Sequence, residues 1–188
     1  MERFGKALAA KGIASLALDA EHHGERKQAA VNTQVFPQVV RAGITDYRIA
    51  LDYLKTRKDV DSGRIGLLGY SMGAMMGAIL SGVDDRIGAT VLCVGGDIVR
   101  GRILQVSETE RDIAEQVSPS NYVGHISPRA LFMINGKTDN LVTESIAKLV
   151  HDAAKEPKEI FWSSGGHMLP REDALKGVEW LEKKLVKK

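Results

Sequence analysis

The chain has 188 residues, of which 44% are hydrophobic and 27% charged, proportions that suit one globular domain with a single core. A formal charge of +2 is too small to imply nucleic acid or a membrane surface as partner. The single cysteine, Cys93, excludes an internal disulfide framework, and its apolar surroundings read as a buried thiol.

Phe4 to Lys11 reads as a helix, with Phe4, Ala7 and Leu8 on one face and Gly12 as its stop. Ile13 to Leu18 is expected to be a strand, followed by a polar, irregular stretch from Asp19 to Gln34. A long helix follows from about Pro37 to Arg57, because Val40, Ile44, Tyr47, Leu51 and Leu54 recur at helical spacing. Ile65 to Leu68 is a strand, Ala74 to Ser81 a small-residue helix, and Ala89 to Val94 another strand. The stretch 95–127 breaks the alternation and is expected to form a small cap-like insertion, helical in the middle. In it Val99, Ile103, Leu104, Ile113 and Val117 either line an acyl pocket or pack the segment down. Alternation resumes with a strand at Ala130–Ile134, a helix from Val142 to Ala154, a strand at Glu159–Trp162 and a last helix from Pro170 to about Val186. Short apolar strands alternating with helices imply one α/β domain over residues 1–188, a mainly parallel sheet flanked by helices.

Within this frame Gly69-Tyr70-Ser71-Met72-Gly73 stands at a strand-to-helix turn. G-x-S-x-G in that context is a nucleophile elbow, which lifts the serine hydroxyl clear of the sheet. Both glycines are expected to avoid collisions between strand and helix. The Met72 N–H, at the start of the new helix, can face an oxyanion. Asp139 follows the strand ending at Ile134, and His167 follows the strand ending at Trp162. The order Ser71, Asp139, His167, each in a loop after a strand, is a nucleophile–acid–base order. Asp97 also follows a strand and is the rival for the acid role. Gly165-Gly166 is expected to give the His167 loop backbone freedom. Tyr70, His22 and His23 are candidates for substrate contact. His125 and His151 lack zinc-ligand spacing, so no metal is expected.

These residues resemble the α/β-hydrolase superfamily, and the resemblance covers nearly the whole chain. The segments LDAEHHGER (18–26), GYSMG (69–73), SPRAL (127–131) and GGH (165–167) look most like esterases related to dienelactone hydrolase. Dienelactone hydrolases proper carry cysteine at the elbow, and Ser71 here implies ordinary ester hydrolysis. The resemblance also implies strands before the helix near Arg3, including one lying between the strands that match Ile13–Leu18 and Arg64–Leu68. The loop after that strand would supply a second oxyanion donor. Either the two flanking strands then pair directly, or something else, such as a second copy in a homodimer, fills the gap.

The expected activity is serine carboxylesterase action on small, short-acyl esters, without metal or cofactor. The alternative is a weakly active or non-catalytic hydrolase-fold binding module that has lost its oxyanion loop. With no spanning segment and no signal-peptide pattern at Met1-Glu2-Arg3, a cytoplasmic location is expected.

Overall fold

The computed structural model describes residues 2–27, 35–101 and 108–186. In chain order the elements are α1 (Glu2–Ala9), α2 (Phe36–Thr56), β1 (Ile65–Tyr70), α3 (Met72–Val83), β2 (Ile87–Cys93), α4 (Ile98–Gly101), α5 (Glu108–Glu115), β3 (Ala130–Gly136), α6 (Glu144–Ala153), β4 (Lys158–Ser163) and α7 (Arg171–Leu185). The four strands are parallel and lie in the order β1-β2-β3-β4. Parallel neighbours need a crossover between them, and α3, α6 and the 95–127 stretch provide it.

Alternate strand residues go to opposite layers. Val91, Cys93, Phe132 and Ile134 face the layer of α1 and α7, where they meet Phe4, Leu8, Val178 and Leu181. Leu92, Leu131 and Met133 face the layer of α3 and α6, where they meet Ala74, Ala78 and Val150. Burial on both sides explains why these strands read as unbroken apolar runs rather than alternating ones. The periodic face of α2 docks as its spacing predicts: Val40 packs with Met75, Met76 and Ile79 of α3, and Leu51 with Ile65, Leu80 and Ile87. Trp180 stacks on Phe132 at 5.6 Å between ring centroids and donates its Nε1–H to Glu159 at 3.0 Å.

Two expectations change. Residues 13–18 do not form a strand, and among the described residues β1 pairs only with β2. Ala14 to Ala17 are exposed, and among the described residues the segment has no ladder partner to hold it as a strand. Direct pairing of Ile13–Leu18 with the elbow strand is thereby excluded. Within 95–127, Val117 is buried against Val40, Met75 and Ile79, so it packs the segment onto α2 and α3 instead of lining a pocket. Ile113 is exposed, Val99 half-buried, and Ile103 and Leu104 lie outside the described residues. Among the described residues no helix is long and apolar enough to cross a membrane.

Candidate active site

Ser71 sits between β1 and α3 with φ 54° and ψ −116°, a backbone setting that L-residues avoid. Holding it costs about 1–3 kcal/mol, and the neighbouring backbone supplies the restraint. The Ser71 N–H donates to the Cys93 carbonyl at 2.9 Å, and the Ser71 carbonyl accepts from Ala74 and Met75 at 2.9 and 3.1 Å. The turn is so tight that a Cβ at Gly69 would lie 2.7 Å from the Ala74 Cα and would also strike the Gly73 carbonyl. Gly73 is different from the expectation: among the described residues, a Cβ there would meet no atom within 4 Å beyond its chain neighbours and the backbone of its own helix. The steric demand falls on Gly69 alone. Met72 and Gly73 head α3, where backbone N–H groups have no intrahelical acceptor.

The sheet brings Ser71, Asp139 and His167 together at the C-terminal ends of β1, β3 and β4. Ser71 Oγ lies 2.8 Å from His167 Nε2, and His167 Nδ1 lies 2.9 Å from Asp139 Oδ2. The pairing with a carboxylate places the proton of the neutral ring on Nδ1 and leaves Nε2 as acceptor for the serine hydroxyl. Asp139 is fully buried at its side chain, and its other oxygen accepts from the Leu141 and Val142 N–H groups at 2.8 and 2.9 Å. Those backbone donors hold the carboxylate through the oxygen that His167 does not use.

The two loops are also joined through their backbones. Lys137 N–H donates to Ser163 at 2.8 Å, and Thr138 N–H to Gly165 at 3.1 Å. This approach requires Gly136, where a Cβ would lie 2.5 Å from the Gly166 carbonyl oxygen. Neither Gly165 nor Gly166 takes up left-handed backbone, so the freedom expected of them is not used for that purpose. Ser163, fully buried, accepts the Gly165 N–H at 3.0 Å and donates to Asp173 at 2.6 Å, tying the loop to α7.

Asp97 does not approach His167. One oxygen accepts the Arg100 N–H at 3.0 Å; the other accepts the Ser118 hydroxyl and, at 3.3 Å, the Ser120 N–H. This buried carboxylate ties residues 97–100 to residues 118–120. Tyr70, a candidate for substrate contact, turns its hydroxyl to the backbone of the His167 loop. His22 is half-buried with φ 64°, and exposed His23 pairs through Nδ1 with the Glu21 carbonyl at 2.9 Å. Their loop is bound to α2 by Arg26, which reaches Asp46 at 2.5 Å and the Asp19 carbonyl at 3.1 Å. The roles of Asp97, Ser163 and Tyr70 had no signal in the sequence beyond their polarity beside strand ends.

A polar cleft of about 570 Å³, lined by Arg48, Asp52, Asp84, Arg86 and Arg129 among others, lies at the opposite end of the sheet. Its charges are largely paired with one another, and it is remote from Ser71. Among the described residues no group of three or more His, Cys, Asp or Glu side chains could hold a metal ion.

Comparison with known proteins agrees with this architecture. "Putative hydrolase YtaP" of Bacillus subtilis (strain 168) is 29% identical over 163 residues, which cover 78% of this chain and 54% of that protein. "Putative esterase YitV" of the same organism is 24% identical, over 93% of this chain and 80% of its own length. The chain thus spans about half the length of YtaP. Among solved structures, a cold-adapted esterase from an Arctic intertidal metagenomic library superposes with a TM-score of 0.76 at 24% identity, covering 98% of this chain and 75% of that one. TT1662 from Thermus thermophilus gives 0.79 at 19% identity, covering 98% and 82%. The sheet and its helices therefore have the α/β-hydrolase fold. Residues 20–177 match the serine hydrolase (FSH1) family, and the chain belongs to it.

Proposed function

We propose that the protein is a serine carboxylesterase acting on small, short-acyl esters, with Ser71 as nucleophile, His167 as base and Asp139 as the acid that orients it. The observation that carries this reading is the continuous relay from Ser71 Oγ to His167 Nε2 at 2.8 Å and from His167 Nδ1 to Asp139 at 2.9 Å. In the first half-reaction His167 takes the Ser71 proton as Oγ attacks the ester carbonyl carbon. The developing oxyanion faces the Met72 N–H at the head of α3. The tetrahedral intermediate collapses, the C–O bond to the leaving alcohol breaks, and the imidazolium returns its proton to that alcohol. Water then attacks the acyl-enzyme by the same route and releases the acid. Asp139 keeps Nδ1 protonated and stabilises the imidazolium throughout.

The acyl preference rests on the small size of the 95–127 stretch and on Val117 being packed against Val40, Met75 and Ile79. Two apolar side chains are exposed beside the triad: Met168 directly after His167 is 74% exposed, and Leu141 beyond Asp139 is 50% exposed. Names of similar proteins that include the word esterase support the same reaction class.

A fluorophosphonate probe and a panel of chromogenic esters of increasing acyl length test the reading. Labelling that disappears in Ser71→Ala, together with turnover that falls by several orders of magnitude in that variant and peaks at short acyl chains, is the expected result. Absence of both labelling and turnover in the folded wild type would leave the binding-module alternative in its place.

A further inference from the structure

One side chain joins the elbow to the histidine loop without taking part in the relay. Tyr70 is the last residue of β1, directly before Ser71. Its hydroxyl donates to the His167 carbonyl at 2.8 Å and accepts the Leu169 N–H at 3.0 Å. One phenol oxygen thus holds the peptide groups on both sides of Met168. Its ring is itself fixed, packing on buried Phe4 of α1 at 6.1 Å between centroids and standing edge-on to the His167 ring at 6.5 Å.

We propose that Tyr70 is a positioning residue that sets His167 over Ser71 by tying the His167–Leu169 backbone to the strand that carries the nucleophile. The inference rests on the reading of Ser71 and His167 as nucleophile and base. Asp139 fixes the orientation of the imidazole through Nδ1, but a hydrogen bond at one ring atom does not fix the distance of Nε2 from a serine on another strand. That distance depends on the backbone of a loop that begins with Gly165 and Gly166 and includes exposed Met168. Burial of Leu169 holds the far end of the loop, yet apolar contact is non-directional and leaves the peptide planes free to rotate. Two hydrogen bonds of good length to one rigid phenol remove that rotation. Nucleophile and base then move as one body, and near-attack geometry is present before substrate arrives.

The test is Tyr70→Phe in the whole chain, which keeps the ring and its packing on Phe4 and removes only the hydroxyl. The expected result is a fall in kcat of about ten- to hundred-fold on a short-chain chromogenic ester, with KM within about twofold of wild type. The rate of fluorophosphonate labelling should fall in parallel. In proton NMR the low-field signal of His167 Nδ1–H, identified by its loss in His167→Ala, should broaden or vanish in Tyr70→Phe. A purely structural role would change stability but leave this signal and kcat alone. Unchanged kcat and an unchanged low-field signal in a folded Tyr70→Phe protein would overturn the proposal. If turnover depends on Ser71 while Tyr70→Phe matches wild type, only this inference fails. If Ser71→Ala keeps its turnover, the esterase reading fails instead, and the NMR signal still decides whether Tyr70 sets the imidazole.

Discussion

Ser71 and Val94 stand side by side at the ends of β1 and β2, both with positive φ, 54° and 46°. The register pairs Tyr70 with Cys93, so these are the next residues along each strand, and the Ser71 N–H is bonded to the carbonyl just before Val94. Left-handed backbone is uncommon for serine and an outlier for a β-branched residue. Strain is therefore concentrated where the candidate nucleophile is held, and the surrounding hydrogen bonds maintain it.

This strain gives a way to separate stability from turnover. Glycine accepts φ 54°, ψ −116° without penalty, whereas alanine meets the same conflict as serine. Ser71→Gly should be more stable than Ser71→Ala by about 1 kcal/mol, after allowance for the greater entropy of glycine in the unfolded chain. Both variants should lose ester turnover. Chemical denaturation of the two proteins side by side checks the ranking, and equal stabilities would mean that Ser71 is not strained in solution.

The two aspartates differ in what each would take away. Asp139→Asn should reduce turnover sharply, because an amide at that position stabilises the wrong ring tautomer and no imidazolium. Its backbone bonds to Leu141 and Val142 can persist through the amide oxygen, so the fold should remain. Asp97→Ala should instead destabilise the protein by about 2–4 kcal/mol through loss of buried bonds to Ser118, Ser120 and Arg100. Turnover measured on the folded fraction of each variant distinguishes the two effects, and a larger turnover loss in Asp97→Ala would move the acid role to Asp97.

Acid sensitivity should trace in part to Asp84. This buried carboxylate receives Arg86 at 2.6 and 2.8 Å and Arg48 at 3.5 Å, and hydrogen bonding from Arg86 holds its pKa below the ordinary carboxylate range. A carboxylate with a lowered folded-state pKa adds stability that is fully present above its unfolded value, about 3.9, and is lost as pH falls through the folded value. Asp84→Asn should lower the Tm at neutral pH and flatten the decline of Tm below about pH 4. Parallel Tm–pH profiles of wild type and variant measure this, and parallel slopes in the acid range would assign the sensitivity elsewhere.

Much of this arrangement is legible in the sequence, for definite physical reasons. Strands buried on both faces write themselves as apolar runs, and α2 writes its contact face as the spacing of Val40, Ile44, Tyr47, Leu51 and Leu54. Ser71, Asp139 and His167 are recoverable because a parallel sheet gathers the loops after its strands at one end. Ile13–Leu18 misleads because strand propensity describes fit to a neighbour, and among the described residues this segment has no ladder partner. Gly73 misleads because a motif records which residues recur but not the direction in which a Cβ would point. Tyr70 is read as a substrate contact and Ser163 is passed over because the partners of their hydroxyls lie 97 and 10 residues away. Such bonds exist only after the chain has folded.

One edge of β1 carries the last prediction, that the protein self-associates as a dimer. Among the described residues β1 has β2 on one side and no ladder partner on the other, although its residues Leu67 and Leu68 pack into opposite helical layers. A strand covered on both faces and ending a sheet is a template for another strand. A second copy can satisfy it, and cyclic two-fold pairing is the commonest closed solution. Light scattering coupled to size exclusion should report a dimer at micromolar concentration. Hydrogen exchange should show the backbone of β1 more protected at high protein concentration than at low. If a second chain also contributes to oxyanion binding near Met72, specific activity should fall on dilution below the dissociation constant, while His22→Ala and His23→Ala leave it unchanged. A monomer that persists throughout the micromolar range, with concentration-independent exchange in β1, would rule out the dimer.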